Sequence, residues 1–195
     1  MMRQLLRAMI AVLVLVPGAL VPVAAQTTEP NPESEHEVLD LGNASVRFQV
    51  RVFGLIRVGG HFERLIGKLV NHADRETGRI HMCIDVSSIN TRDEIRDEFL
   101  RSPAFFNTER YPQITFSNSR LVLGKDGIEQ IVGDLSLHGM TRPVVFNVEP
   151  VGSAQGMDTI SYQAKVTIKR SDFGLLSLRS IVSDEVEIIV AMQSN

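Results

Sequence analysis

Apolar and polar residues alternate along several segments of the chain, and this period of two constrains the fold more than any other feature. Residues 46–52, 80–86, 144–148, 160–168 and 186–192 each place an apolar side chain at every second position. Since successive side chains of a β-strand point to opposite faces of the sheet, each segment predicts a strand with one buried and one solvated face. Such strands are typical of antiparallel sheets, because parallel sheets are usually covered on both sides.

The spacing of these segments predicts an all-β fold of roughly eight antiparallel strands. Turn residues separate the strands, as in Gly124–Gly127 and in the longer loop Gly152–Gly156. Such a sheet closes into a barrel, which removes its exposed edges, or forms a two-sheet sandwich. A barrel of about eight strands is either filled by its own side chains or holds one small ligand. The alternation leaves both pairs of alternatives open.

One segment, residues 92–101, predicts a short helix instead. Thr91 is followed three residues later by Glu94, which is the pattern of a capping box. Ile95 and Phe99 lie four residues apart, on one helical face, and the Ser-Pro pair that follows ends the helix. We expect Ile95, Phe99 and Leu100 to pack this helix across one end of the sheet.

Residues 1–25 have the pattern of a secretory signal peptide. Two arginines precede an apolar run at 8–16, and small residues at 23–25 form a cleavage site. The alternative is a retained membrane anchor, because residues 8–25 are uncharged and nearly long enough to span a bilayer. Prolines within the segment favour the cleaved signal.

After the signal peptide we expect a disordered lead-in at 26–36 and one compact domain at 37–195. The formal net charge is −3 and no block of Lys and Arg occurs. Since nucleic acids require a basic face, a nucleic-acid partner is not expected. Cys83 is the one cysteine of the sequence, which excludes a disulfide within the chain.

The sequence contains no arrangement that predicts catalysis, a metal site or a cofactor. His81, Cys83 and Asp85 project from one strand face, but alternate residues on a strand are roughly 6.6 Å apart. A nucleophile and its base need hydrogen-bond contact, at about 3 Å. No two of the five histidines have the helical spacing of a zinc site, and no phosphate-binding or nucleophile-elbow motif occurs.

Two apolar stretches after the helix, Pro103–Phe106 and Tyr111–Phe116, bracket one loop. They form either a plug that packs on Ile95 and Phe99 or an apolar portal to an interior cavity. Farther along, residues 137–143 predict a tight hairpin turn, in which His138 could simply bind local backbone.

Several blocks carry a family resemblance, in order and at matching separations: 46–50 with 60–62, 88–116, 133–143, 170–174 and 184–186. Together they resemble the YceI-like family of polyisoprenoid-binding, lipocalin-like barrel proteins. Members often carry a His in the opening strand where this chain has Val52, so no polar role is carried over to that position. No role is carried over to Cys83 either.

The resemblance implies a periplasmic or secreted, eight-stranded, lipocalin-like barrel whose interior holds a long apolar chain. Assuming that the apolar faces point inward, we assign to the tunnel Phe48, Val50, Phe62, Ile84, Phe105, Phe106, Ile114, Phe116, Leu135, Leu137, Phe146, Val166 and Ile168. We expect the polar head of the ligand at a mouth formed by Arg96, Asp97, His138 and Arg170. For Asp97 and Arg170, the alternative is a buried ion pair that joins the helix to the sheet.

The leading hypothesis is a non-enzymatic protein that binds, and transports or stores, a long-chain isoprenoid, an isoprenoid quinone or a fatty-amide-type lipid. The alternative is an enzyme or redox accessory acting on quinone-like lipids, with Cys83 or His138 taking part. A third hypothesis is a barrel that binds nothing. The resemblance is compatible with a homodimer, and an exported chain also contacts the export machinery transiently.

Overall fold

A computed structural model describes residues 37–40, 44–71, 79–125, 127–151 and 161–193 of the chain. The predictions of a signal peptide at 1–25, of a lead-in at 26–36 and of the loop at 152–156 lie outside these residues. The strands of the described part are β1 (Glu37–Asp40), β2 (Ser45–Val52), β3 (Ile56–Phe62), β4 (Leu65–Asn71), β5 (Arg79–Asp85), β6 (Ile89–Asn90), β7 (Gln113–Gly124), β8 (Gly127–Leu137), β9 (Met140–Val151), β10 (Ser161–Lys169) and β11 (Val182–Gln193). The helix α1 spans Glu94–Arg101, and two 3-10 helices span Val86–Ser88 and Arg170–Phe173.

The strands form one antiparallel sheet that curls back on itself. Its hydrogen-bonded order is β1-β4-β5-β7-β8-β9-β10-β11-β2-β3-β6. β3 continues into β4 after two residues, and β5 continues into β6 through the first 3-10 helix. The segments 56–71 and 79–90 therefore pair with each other twice, as β4 with β5 and as β6 with β3, where Phe62 lies opposite Ile89. Because these two pairings join the two ends of one sheet, the sheet forms a barrel. The alternative of a two-sheet sandwich is wrong.

The prediction of an all-β antiparallel barrel with one short helix is confirmed, but the described residues form eleven strands where roughly eight are expected. The segments 56–71 and 79–90 each form two strands on either side of a bend, and the short β1 adds to the edge of β4. The bends interrupt the regular ladder, and side chains fill the gap: Ser88 Oγ accepts from the backbone N–H of Arg64, and Asp85 binds the Arg64 guanidinium. Periodicity alone does not reveal such breaks, because a bend need not change which residues are apolar.

Burial follows the predicted alternation and places the core inside the barrel. On β8, Ile131, Gly133, Leu135 and Leu137 are buried, while the residues at 132, 134 and 136 are partly exposed. Gly133 continues this inward face at a point where the ring of Phe116 on β7 comes close: a Cβ at Gly133 would lie 2.5 Å from Phe116 Cζ. The inward side chains of the other strands form the same cluster.

The helix is present, but two predictions about it are wrong. Its N-cap is Asp93, whose carboxylate accepts a hydrogen bond from the N–H of Arg96 at 3.1 Å, so Thr91 does not cap it. Ile95 is 83% exposed and does not pack the helix on the sheet. Phe99 is 37% exposed, and Leu100 is half-buried against the core. The helix starts two residues later than expected, and its buried residue is Asp97. Ile95 lies two residues before Asp97, about 200° away around the helix, and therefore faces solvent.

Helix α1 and the second 3-10 helix lie at the same end of the barrel, which we call the helical end. At this end β2 passes into β3, β8 into β9, and β10 into β11. The hydroxyl of Ser177, which precedes β11, donates to the carbonyl of Ala104, which follows α1. No helix in the described part of the chain is long and apolar enough to cross a membrane.

Candidate functional site

The barrel encloses a cavity of about 210 Å³. A site for a single water needs only roughly 10–15 Å³, so this space is far larger than a packing defect. The wall is made almost entirely of aliphatic and aromatic side chains, and Thr91, Arg96 and Arg170 are its polar members. A wall of this composition stabilises an apolar ligand.

The cavity is elongated along the strands. On β11 alone, Val182, Val186, Ile188 and Val190 all line it. Eight residues of strand separate the first from the last, which corresponds to about 26 Å along the chain at 3.3 Å per residue. A space of this shape fits a long, chain-like molecule better than a compact one.

Most of the apolar residues predicted for the tunnel lie on its wall. These are Phe48, Val50, Phe62, Ile84, Phe105, Phe106, Ile114, Phe116, Leu135, Leu137, Phe146 and Ile168. Val166 does not reach the cavity: it is half-buried and packs against the core beside Ile188, its cross-strand partner. Whether the lining residues contact a ligand stays a prediction.

Sequence reasoning missed a further set of lining residues: Val46, Val52, Val58, Ile80, Met82, Thr91, Phe99, Leu100, Ile131, Ala164, Leu175, Leu178, Val182, Val186, Ile188 and Val190. Many of them belong to the alternating segments 46–52, 80–86 and 186–192, so the alternation of apolar residues could have identified them. Leu175 and Leu178 carried no such signal, because they lie in an irregular segment whose path depends on tertiary contacts.

Aromatic side chains close the wall at the helical end. The rings of Phe99 and Phe105 have their centroids 6.1 Å apart, and those of Phe105 and Phe106 are 5.0 Å apart in an edge-to-face arrangement. All three line the cavity, and Phe105 and Phe106 are only half-buried. The cluster packs on Phe99, as the plug alternative expects, but not on the exposed Ile95, and it also bounds the cavity; an entrance at this point stays a prediction.

Arg96 and Thr91 form the polar part of the wall at this end. Arg96 donates from Nε to the Thr91 hydroxyl at 2.7 Å and from Nη2 to the Thr91 carbonyl at 2.8 Å. Its Nη1 lies 3.7 Å from a carboxylate oxygen of Asp93. The guanidinium is therefore held in place while one of its nitrogens has only a long contact.

Asp97 does not line the cavity, contrary to its predicted place at the mouth. It is buried, and its Oδ1 accepts from the Thr91 hydroxyl at 2.6 Å and from the Thr91 N–H at 2.9 Å. Asp97 therefore positions Thr91, and through it the Arg96 guanidinium. The sequence pattern missed this role because Thr91 looked like a helix cap.

Arg170 lines the cavity with its side chain, but its donors point to the backbone. Nη1 donates to the carbonyls of Leu175 and Ser177, both at 2.7 Å, while Nε and Nη2 donate to those of Ser183 and Val182. Burial lowers the pKa of Arg170 below its usual range. The predicted ion pair with Asp97 is wrong, and Arg170 instead holds the segment that closes this end.

His138 does not line the cavity either, so its place at the mouth stays a prediction that the cavity wall does not support. Together with Gly139 it forms the two-residue turn between β8 and β9, and both have positive φ, 52° and 76°. This is the backbone of a type I′ hairpin turn. The ring packs edge-on against Tyr111, with centroids 4.5 Å apart, and Nδ1 lies 3.2 Å from the carbonyl oxygen of Phe173.

Cys83 is half-buried and does not line the cavity. Its neighbours across the ladder are Ile66 and Thr115. Asp85, on the same strand, binds Arg64 and Ser87 rather than His81. Within the ranges that the structure describes, no group of three or more His, Cys, Asp or Glu side chains could hold a metal ion.

The family model of the YceI-like domain matches residues 38–194, which is nearly the whole described barrel. The chain belongs to the YceI-like family.

Curated and solved relatives agree with this assignment. The YceI-like chain is 30% identical to Protein YceI of Escherichia coli O157:H7 over 156 residues, which cover 77% of this chain and 81% of the relative. Its fold is similar to that of Burkholderia cenocepacia BcnA, with a TM-score of 0.68, 24% identity and coverage of 80% and 99%. It is also similar to a polyisoprenoid binding domain from Saccharophagus degradans implicated in plant cell wall breakdown, with a TM-score of 0.60, 21% identity and coverage of 80% and 95%.

The departure at Val52 has a structural counterpart in this YceI-like barrel. Val52 lines the cavity where β2 ends, opposite Val182 on β11 and Ile56 on β3. The wall at this point is therefore aliphatic, and among the described residues that line the cavity the polar ones are Thr91, Arg96 and Arg170.

Proposed function

We propose that this YceI-like protein binds one long-chain isoprenoid, or another amphiphilic lipid of similar shape, inside the barrel. The observation that carries the proposal is the elongated cavity with an almost wholly apolar wall. Each methylene that leaves water contributes about 0.8 kcal/mol, so a long chain needs no specific polar contact to bind tightly. The fold is shared with a polyisoprenoid binding domain, which supports this ligand class.

We propose that the polar head of the lipid lies beside Arg96 and Thr91. Arg170 is excluded from this role because its donors are engaged by four backbone carbonyls. Arg96 keeps one nitrogen with only a 3.7 Å contact to Asp93, so a hydroxyl, carbonyl or phosphate oxygen of a ligand could accept from it. Asp97 stabilises this arrangement because its carboxylate accepts a hydrogen bond from the Thr91 hydroxyl.

We further propose that the protein is exported and acts as a periplasmic or secreted carrier or store of its lipid. The charged, apolar and small-residue pattern of residues 1–25 supports export. Binding in an apolar cavity suits a molecule that must be kept out of water between two membranes or two proteins. Mass measurement of the mature N-terminus tests the export signal, and a chain that starts at Met1 would contradict it.

Native mass spectrometry of the purified protein tests the lipid site. We expect an adduct of several hundred daltons after bacterial expression, or uptake of a polyprenyl alcohol, an isoprenoid quinone or a fatty-acid amide by the delipidated protein. Ile168→Trp fills the cavity from β10, and Phe116→Arg places a charge in it, so both should abolish the adduct. Thr167→Trp is the matched control, because Thr167 is the exposed neighbour of Ile168. Circular dichroism checks that each variant folds, and a wild-type protein that takes up none of these lipids contradicts the proposal.

A further inference from the structure

The helical end of the barrel exposes a group of large apolar side chains, which we call the apolar rim. Its members are Phe53, Leu55, Ile56, Leu176, Leu178 and Ile181. Leu55 is 88% exposed and Phe53 68%, at the tip of the hairpin between β2 and β3. Large apolar groups that point into water without a partner within the fold are typical of an interaction site.

The rim consists of the hairpin tip (Phe53, Leu55 and Ile56) and the segment before β11 (Leu176, Leu178 and Ile181). The two parts contact each other beside the cavity. The N–H of Phe53 donates to the carbonyl of Ile181 at 2.8 Å, so the hairpin tip lies against the segment before β11. Leu178 belongs to the rim and also lines the cavity, as do Val52 and Val182 directly beside it. The rim therefore continues outward from the wall of the cavity.

Three exposed arginines, Arg51, Arg57 and Arg179, flank the rim, although the chain as a whole carries a formal net charge of −3. Residues 45–62, which form β2, β3 and their turn, contain three arginines and neither Asp nor Glu. Arg51 and Arg57 face each other directly across the two strands, and both are exposed. Like charges in this position disfavour the strand pairing, and neither forms an ion pair with any residue that the structure describes.

The segment before β11, which contributes Leu176, Leu178 and Ile181 to the rim, also contains a basic residue and no acidic one. Residues 173–182 contain Arg179, which is exposed, and neither Asp nor Glu. Three exposed acids border this segment, Asp172 before it and Asp184 and Glu185 after it, and the carboxylate of Asp184 accepts hydrogen bonds from Ser171. Helix α1 is different, because Ile95 there is accompanied by the exposed acids Glu94 and Glu98. The helix is therefore left out of the rim.

We propose that the apolar rim docks on the surface of a membrane that contains anionic lipids. Phe53, Leu55 and Ile56 would enter the boundary between head groups and acyl chains, while Arg51, Arg57 and Arg179 contact lipid phosphates. Apolar insertion combined with basic flanks is the chemistry by which peripheral proteins bind anionic bilayers. This inference rests on the proposed function in one respect: docking would place the cavity against the bilayer, so that a lipid can pass without crossing water.

Vesicle sedimentation tests the proposal, with every variant expressed from the full-length gene so that the N-terminus is the same throughout. The wild type should bind vesicles of phosphatidylethanolamine and phosphatidylglycerol, and bind phosphatidylcholine vesicles at least tenfold more weakly. The double variant Phe53→Ser/Leu55→Ser should lose at least tenfold in binding, as should Arg51→Glu/Arg57→Glu. The control Val145→Ser/Ile66→Ser removes two exposed apolar side chains from strands β9 and β4 and should bind as the wild type does.

Two results would overturn the proposal. One is wild-type binding that the rim and arginine variants leave unchanged. The other is a rim that joins two copies of the chain: sedimentation equilibrium would then show a dimer that Phe53→Ser/Leu55→Ser dissociates, without binding to vesicles.

Native mass spectrometry separates this proposal from the lipid site. If docking alone fails, the rim variants and the wild type both keep their lipid adduct and take up lipid equally from detergent solution. If the lipid site alone fails, no adduct forms, yet the wild type still binds anionic vesicles through the rim.

Discussion

The Oδ1 atom of Asp97 accepts two hydrogen bonds from Thr91, one from its hydroxyl at 2.6 Å and one from its N–H at 2.9 Å. Both residues are buried, and Arg96 donates to the same threonine hydroxyl from the side of the cavity. Asp97, Thr91 and Arg96 thus form a chain of hydrogen bonds that joins the helix to the polar part of the cavity wall.

Breaking this chain should cost more stability than a surface substitution. We expect Asp97→Ala to lower the free energy of unfolding by about 2–3 kcal/mol, because it leaves the buried N–H and hydroxyl of Thr91 without an acceptor. Urea unfolding followed by circular dichroism measures this change. Glu98→Ala, on the exposed face of the same helix, is the control and should stay within about 0.5 kcal/mol of the wild type. Equal effects of the two substitutions would contradict the buried role of Asp97.

Arg170 should contribute through its geometry rather than through its charge. Arg170→Lys keeps the charge but cannot reach four carbonyls in different directions, so we expect a loss of about 2–4 kcal/mol in the free energy of unfolding. Lys169→Ala, at the exposed neighbouring position, is the matched control. Chemical denaturation of both variants measures the difference. A lysine variant as stable as the wild type would mean that the carbonyl contacts add little.

Gly133 should be sensitive to the addition of a single methyl group. A Cβ at this position would lie 2.5 Å from Phe116 Cζ and 2.9 Å from the backbone oxygen of Ser117. We expect Gly133→Ala to destabilise the fold by about 1–3 kcal/mol through overpacking. Thermal unfolding of Gly133→Ala, Phe116→Leu and the double variant forms a cycle that isolates the clash. Because leucine lacks the atom nearest to the new methyl, part of the loss should be recovered in the double variant, and strict additivity would contradict this account.

Asp85 should make stability depend on pH in the acid range. A hydrogen bond from the Ser87 side chain, helped by Arg64 and opposed by burial, holds the pKa of Asp85 below its usual value. The stabilisation is therefore present above about pH 4, the ordinary pKa of an aspartate in an unfolded chain, and is lost as the pH falls through the lower pKa of the folded state.

The measurement is urea unfolding of the wild type and of Asp85→Asn between pH 7 and pH 2.5. At neutral pH we expect a difference of at most about 1 kcal/mol, because Asp85 and Arg64 are both substantially exposed. The difference should shrink toward the acid end. Glu109→Gln, in the exposed loop before β7, is the control, and a difference that grows as the pH falls would contradict the assigned direction.

The sequence predicted residues of the cavity wall better than it predicted the partners of the buried polar side chains. Nearly all of the apolar residues predicted for the tunnel do line the cavity, since the apolar face of each strand points into the barrel, but a longer set of lining residues was missed. Asp97 and Arg170 were also singled out, but as partners of each other, whereas one binds Thr91 and the other binds backbone carbonyls. Partner choice depends on the meeting of distant segments, which a period of two does not encode.

The sequence by itself determined that this protein is an antiparallel β-barrel of the YceI-like family with an apolar interior. Periodic apolar faces and the order of the motifs can be read from the chain, because they do not depend on how the side chains pack. Only the tertiary structure decided where the strands bend, as at Asp85 and Arg64, and which way the short helix turns Ile95. It also decided that exposed apolar side chains from two separate segments meet around the cavity, at Phe53 and Ile181. The physical reason is that these features arise from contacts between residues far apart in sequence, whose energies become defined only once the barrel has closed.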